Sequence, residues 1–407
     1  MSLVSTLVVL LFCGWGAILL VYRRRLLRLW REPVLAAPVL IIESDDWGPG
    51  PASHVAALDR LIELLARHRD ASGQAAVMTI GAVLAIADTA AIRAGEISCY
   101  RRQRLCDSDG AAMREALLAG HARGVLALQL HGMEHYWPQS LLTVARRDVE
   151  VRDWLETAAG SDTERLPSAL QSRWTDVTTL PSRPLPEAEI RAAVAEEVAC
   201  FEASFGARPL VAVPPTFVWT EQVERAWAEA GVRVIITPGR RLTGRDHAGQ
   251  PGGCDRDILN GECGASGVRY LVRDLYFEPA LGHRPERLCD ELARHFALGR
   301  PALIETHRFN FTGEQAETAY AALETLLEQA RARWPGLRFM SAEALAAGQA
   351  TGAEWLVRDR ARRLEVWLRR AARIDRLRKL AWSSGLALLA WALLAVLGAW
   401  RRGGEQG

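Results

Sequence analysis

Between residues 36 and 345, short apolar runs of strand length alternate with longer stretches of helical periodicity, which restricts the chain to a mainly parallel sheet, open or closed into a barrel. Residues 36–42 are nearly continuously apolar and end in Glu43-Ser44-Asp45-Asp46-Trp47-Gly48, a buried strand entering a turn. Helical spacing follows over 54–68, a second strand over 76–83, a helix over 111–122 stopped by Gly124, and a third strand over 125–130 that delivers His131-Gly132-Met133-Glu134-His135. Residues 140–184 are mixed and proline-punctuated, which predicts a long loop with some helix. The alternation resumes with helices expected at 187–205, 220–230, 286–297 and 314–334, strands at 209–213, 232–237, 268–272, 302–305 and 338–340, and a loop over 239–266. No internal repeat is present.

Two uncharged apolar runs flank this region. Residues 2–22 are long enough to cross a bilayer as a helix, and Arg23, Arg24, Arg25, Arg28 and Arg31 follow at once. A cleaved signal peptide carries its positive charge before the apolar run, not after it. Residues 382–400 form the second run, with Trp382 and Trp400 at its edges, six basic residues from Arg369 to Lys379 before it, and Arg401 and Arg402 after it. Both runs place their heavier positive flank towards the centre. The positive-inside rule therefore predicts a two-pass protein of a bacterial-type inner membrane, with a cytoplasmic central domain and both termini outside. The expected organisation is a transmembrane helix at 1–22, a basic linker at 23–35, a catalytic barrel at 36–350, a basic amphipathic helix at 351–380 and a second transmembrane helix at 381–400. That basic helix suits either a membrane interface or the surface of the domain.

Charge supports the division. The net +2 hides 17 basic and 5 acidic residues in the stretches 23–32, 358–379 and 401–405, which leaves −10 for the rest. Such a split argues against a nucleic-acid partner and for basic flanks beside anionic lipid. Lys379 is the only lysine, so Schiff-base chemistry, pyridoxal phosphate attachment and a P-loop are excluded from the centre. The seven cysteines are odd in number, scattered and without a Cys-x-x-Cys pair, which fits a reducing compartment.

In parallel barrels, side chains just past the carboxyl ends of strands converge on one mouth. Three expected strands end in Asp45-Asp46, in His131 with His135, and near His307. Two histidines and a carboxylate make a site for Zn²⁺ or another divalent transition metal, with positions open for water and substrate. A second carboxylate can take a proton from water and a histidine opposite can protonate a leaving amine, the parts that amide or ester hydrolysis needs. His54, His68, His121, His247, His283 and His295 lack such context and read as structural.

Ser44-Asp45-Asp46-Trp47-Gly48 resembles the first motif of the polysaccharide deacetylase family, the NodB-homology domain, where a strand ends in Thr-Phe-Asp-Asp-Gly. His131-Gly132-Met133-Glu134-His135 resembles its second motif, His-Ser/Thr-x-x-His, and Gly120-His121 is similar to the Gly-His that commonly precedes it. Phe205-Gly206-Ala207-Arg208-Pro209 with Val213-Pro214-Pro215, Ile304-Glu305-Thr306-His307, and Phe339-Met340-Ser341 with Glu343-Ala344-Leu345 resemble later motifs in the same order. The resemblance implies a distorted (β/α)7 barrel, with Asp45 as general base, Asp46, His131 and His135 as metal ligands and His307 as general acid. It also implies removal of N-acetyl or similar acyl groups from a glycan, here a membrane-associated or lipid-linked one. Trp47, Tyr136, Trp137, Phe217 and Trp219 are candidate sugar-stacking residues, with Pro215 and Arg308 as further substrate-binding candidates. The family's third-motif arginine, which orients the base, is missing before Pro214, and Arg208 or Arg308 are the candidates to replace it.

Two other readings fit the same residues. His131-Gly132-Met133-Glu134-His135 satisfies the inverted zinc-peptidase pattern, in which a helix presents both histidines and Glu134 is the base, although Gly132 and the preceding strand speak against a helix. A barrel that binds glycan or a partner without turnover is the second. Oligomeric state is not legible.

Overall fold

The computed structural model describes residues 3–158 and 160–404, with side chains as far as residue 396. Ser2, at the start of the first apolar run, and the side chains of Trp400, Arg401 and Arg402 lie outside the described residues. Nine strands form one all-parallel sheet: β1 (Val39–Trp47), β2 (Met78–Ala82), β3 (Leu126–Leu130), β4 (Val211–Ala212), β5 (Val234–Thr237), β6 (Arg269–Val272), β7 (Leu275–Tyr276), β8 (Ala302–His307) and β9 (Arg338–Phe339). Their order is β6-β5-β4-β3-β2-β1-β8-β7, with β9 also pairing β1. β6 and β7 stand at opposite ends of that order, yet only Arg273 and Asp274 separate them in the chain. Such a link spans about 11 Å at most, so the sheet curls until its two ends are neighbours.

Strand periodicity sorts the side chains of β1. Leu40 and Ile42 join the large core beneath the surrounding helices, whereas Val39 and Ile41 join a second cluster with Val211, Val234, Ile236, Leu271 and Leu303. Leu345 and Ala346 belong to this second cluster and close its amino end. The same face continues upward as Glu43 and Asp45, so the interior turns from apolar to charged along one strand.

At the top of β1 the register to β2 shifts between Ser44 and Trp47, and Asp46 there has a φ of +71°. Regular alternation would aim Asp45 and Asp46 to opposite faces; the bulge turns Asp46 back towards the mouth.

Residues 140–184, expected as loop with some helix, contain helices Pro138–Ala145 and Val149–Thr157 with short 3-10 turns. The 239–266 loop carries two small antiparallel ladders, Arg240–Arg241 with Arg256–Asp257 and Gly244–Arg245 with Pro251–Gly252. The amino-terminal apolar run is one helix, α1 (Leu3–Arg31), long and apolar enough to cross a membrane, with a mean hydropathy of 2.5 over its most apolar window. The basic stretch near the carboxyl end is two helices, α2 (Arg360–Ala371) and α3 (Asp375–Ser383). α2 packs on the domain: Val366 is fully buried, and the Arg370 guanidinium donates to the carbonyls of Leu298, Glu32, Pro33 and Gly299. Leu26 and Leu29 of α1 join Ala371, Ile374 and Leu377 in one small apolar cluster. The last helix, α4 (Leu386–Gly404), meets α3 at a bend of 100°.

Candidate metal centre

The bulge places Asp46 against two imidazoles. Asp46 Oδ1 lies 3.4 Å from His131 Nε2 and 3.5 Å from His135 Nε2, and one ligand atom from each of the three residues lies within 4.8 Å of the others. His131 follows β3 directly, and its Nδ1 lies 3.0 Å from the Val213 carbonyl at the end of β4, which fixes the ring and turns Nε2 to the mouth. Gly132 sits at a φ of +91°, a conformation that favours glycine and turns the chain so that His135 returns to its partners. Asp46 Oδ1 and His131 Nε2 are buried without a hydrogen bond. Unpaired buried groups of this kind are costly, and a divalent cation satisfies them. Burial pushes His135 down to about 4, so it is neutral at pH 7, the form a metal ligand requires. The residues present therefore fit a divalent transition metal.

Asp45 enters the same mouth. Its Oδ2 is 4.0 Å from His131 Nε2 and accepts a hydrogen bond from Arg273 Nη2 at 2.6 Å. A Cβ on Gly81 of β2 would lie 2.2 Å from Asp45 Oδ1, so this strand position must be glycine for Asp45 to sit there. Arg273, in the link between β6 and β7, also reaches Glu43 at 2.8 Å and Glu305 at 3.1 Å. Burial works against the charge on Asp45, but the Arg273 guanidinium beside it holds the carboxyl below its usual range. Glu43, deeper in the interior, is pushed by burial to about 7. One guanidinium thus ties β1 and β8 to the link between β6 and β7 through three carboxylates.

His307 ends β8, opposite Asp45 in the register. Its Nδ1 lies 2.6 Å from Glu278 Oε1, and Asn310 donates to the other Glu278 oxygen. Burial opposes a charged imidazole here, yet the hydrogen bond and charge of Glu278 push His307 up to about 10. With Nδ1 bound to Glu278, Nε2 is the ring nitrogen left for the cavity, 3.6 Å from Glu305 Oε1. Asp45, Asp46, His131, His135, Arg273 and His307 all line one cavity of about 330 Å³, walled further by Glu164, Phe217, Tyr276, Glu305 and Phe309.

The expected sugar-binding residues are placed differently. Trp47 is fully buried and donates to Ser44 Oγ at 2.9 Å; the one-residue insertion sends it under the bulge as packing. Tyr136 is buried against Trp154 and hydrogen-bonded to Tyr100, and Trp219 is fully buried in the core. Trp137 lines a separate surface cavity beside Arg102 and Arg173. Pro215 is buried, while its neighbours Pro214 and Thr216 line the metal-side cavity. Phe217 does line it. Arg308 is buried and donates to the backbone carbonyls of Asp46 and Ser161, bracing the bulge from behind.

Neither replacement arginine reaches the Asp45 carboxylate: Arg208 is exposed and pairs with Glu202, and the Arg308 side chain goes to the Asp46 and Ser161 carbonyls, His54 and Glu164. Arg273 occupies that place. It stands just past the expected strand 268–272, so the rule that strand ends carry chemistry applied to it, and to Glu305 at the end of the expected strand 302–305; Glu278 had no such signal. The zinc-peptidase alternative is overturned, because 131–137 is not helical and Glu134 is buried between Arg102 at 2.9 Å and Arg173 at 2.6 Å.

No family profile and no curated protein matches the chain. Among solved structures, it is similar to a protein from Mycobacterium smegmatis provisionally described as a polysaccharide deacetylase, with a TM-score of 0.42, 12% identity, and coverage of 81% of this chain and 97% of that one. A family 4 carbohydrate esterase from Streptomyces lividans in complex with acetate has a TM-score of 0.36 and 11% identity, covering 74% of this chain and 91% of that one. A CE4-family pseudoenzyme from Bacillus anthracis has a TM-score of 0.34 and 9% identity, covering 74% of this chain and 62% of that one. These likenesses are distant, and the chemistry of the site rests on its own residues.

Proposed function

We propose that the chain is a metal-dependent carbohydrate N-deacetylase, which removes N-acetyl or a similar acyl group from a membrane-associated or lipid-linked glycan. The observation that carries this reading is the convergence of Asp46, His131 and His135 within 4.8 Å, with Asp45 and His307 in the same cavity. Asp46, His131 and His135 are the residues to hold the ion, Zn²⁺ in this reading; when bound it acidifies water and polarises the acyl carbonyl. Asp45 takes the proton from the attacking water. Arg273 orients Asp45 and keeps it ionised, which favours turnover over a barrel that only binds. His307 gives its Nε2 proton to the leaving amine as the C–N bond breaks, and Glu278 keeps the ring oriented and charged for that transfer.

Fold and location follow the same reading. Taking β6 and β7 as one bent strand gives seven strands around the mouth, a distorted (β/α)7 barrel with β9 as an addition. α1 serves as one membrane span and α3 with α4 as a second, bent one, and the heavier basic flanks on the barrel side support a cytoplasmic barrel.

The test is acetate release from a lipid-linked amino-sugar pool in membranes carrying wild-type protein, Asp45→Asn, His131→Ala or His307→Ala. Release by wild type and loss by more than a hundredfold in all three variants is expected; equal release from all four removes the reading.

A further inference from the structure

The metal centre lies at the carboxyl ends of β1 and β8, whereas α1 and α2 pack at their amino ends, beside Glu32 and residues 298–300. The reactive mouth therefore faces away from the apolar helices. Three cavities bridge the two ends. A cavity of about 190 Å³ includes Glu32, one residue beyond the end of α1, and shares Asp274 and His295 with a cavity of about 410 Å³; this one shares Tyr276 with the metal-side cavity. The three adjoin through these shared residues along β7, whose pairing among the described residues is with β8.

The charge of the groove is uneven. At its amino end Arg300 is neutralised by Glu32 at 2.6 Å. In the middle cavity Arg287 faces Glu291 at 3.5 Å and His295 faces Asp274 at 3.5 Å. Arg284 and Arg294, from the same cavity, form no ion pair among the described residues. Two uncompensated guanidiniums in a concave site attract an anion, and their planar donors match phosphate oxygens.

We infer that this groove binds the phosphate-bearing linker of the substrate: the acylated sugar sits at the metal centre, its phosphate at Arg284 and Arg294, and the linker runs on towards the end of α1. The inference rests on the proposed deacetylase reading and narrows its substrate to an N-acylated amino sugar carrying a phosphate ester or diphosphate.

Binding separates the two. Full-length protein in nanodiscs is titrated calorimetrically with N-acetylglucosamine 1-phosphate, with a polyprenyl-diphosphate-linked N-acetylglucosamine in the same bilayer, and with neutral N,N′-diacetylchitobiose. The phosphate-bearing sugars are expected to bind more tightly than the neutral one and to weaken about tenfold or more in Arg284→Glu/Arg294→Glu, with an intermediate loss in Arg284→Gln/Arg294→Gln. The neutral sugar is expected to bind both variants as it binds wild type. Preference for the polyprenyl form over the soluble one identifies a lipid-borne source of the phosphate; equal binding identifies a soluble sugar phosphate. Equal affinity of wild type for charged and neutral sugars, or equal weakening of both by the substitutions, overturns the groove. Phosphate-dependent binding without acetate release from any of the three leaves the groove standing and overturns the deacetylase reading instead.

Discussion

Arg273 Nη2 lies 2.6 Å from Asp45 Oδ2, although 228 residues separate the two in the chain. The pair joins the first strand to the link that closes the curled sheet, and it sits where the fold and the proposed chemistry depend on each other. Replacing Arg273 by Ala leaves Glu43, Asp45 and Glu305 buried without their common cation. Loss of about 3–5 kcal/mol of stability is expected, as for other buried ion pairs broken on one side. Urea unfolding followed by tryptophan fluorescence measures it, and a variant as stable as wild type contradicts the structural role.

Glu278 sets the proton affinity of His307. With Glu278→Gln the group that raises His307 to about 10 is gone, while the burial that opposes the charged form remains. A general acid works while protonated, so activity falls as pH rises through its pKa. The alkaline limb of kcat against pH is therefore expected to move down by about one to two units in the variant, with the acid limb in place. An unmoved alkaline limb removes His307 from the proton-donating role.

Gly81→Ala tests the positioning of the base from the neighbouring strand. The new methyl would meet Asp45 Oδ1 at 2.2 Å and must displace it. kcat is expected to fall about a hundredfold, since a misplacement near 1 Å has that effect, with KM changed much less. Unchanged kcat shows that Asp45 has room to spare and is not held for catalysis.

Glu134→Gln separates the two metal-hydrolase readings. The carboxylate is enclosed by Arg102 and Arg173 and faces away from the cavity. Its substitution is expected to lower thermal stability while kcat/KM stays within about threefold of wild type. A loss of several thousandfold at preserved stability returns Glu134 to the role of base.

Much of this was legible from residue order. Asp45, Asp46, His131, His135 and His307 were readable because each stands at the end of an apolar run, and a parallel sheet brings such ends together. Aromatic identity misled, because Trp47, Tyr136 and Trp219 carry the same letters whether they line a cavity or fill a core; only packing distinguishes these, and here it buries them. Arg273 was hidden for another reason. It stands just past an expected strand, but nothing local shows that residue 273 faces residue 45, because the two ends of the sheet meet only through the curl of the whole sheet. Glu278 stands on an irregular turn and is defined wholly by its tertiary partners, His307 and Asn310.

The central claim is that one divalent ion is held by Asp46, His131 and His135. X-ray absorption at the zinc edge on the full-length protein reads this directly. One ion per chain is expected, with two imidazole nitrogens and carboxylate or water oxygen at about 2.0–2.2 Å, and loss of that ion in Asp46→Asn and His131→Ala. Sulfur in the ligand sphere, or full metal occupancy in both variants, contradicts it.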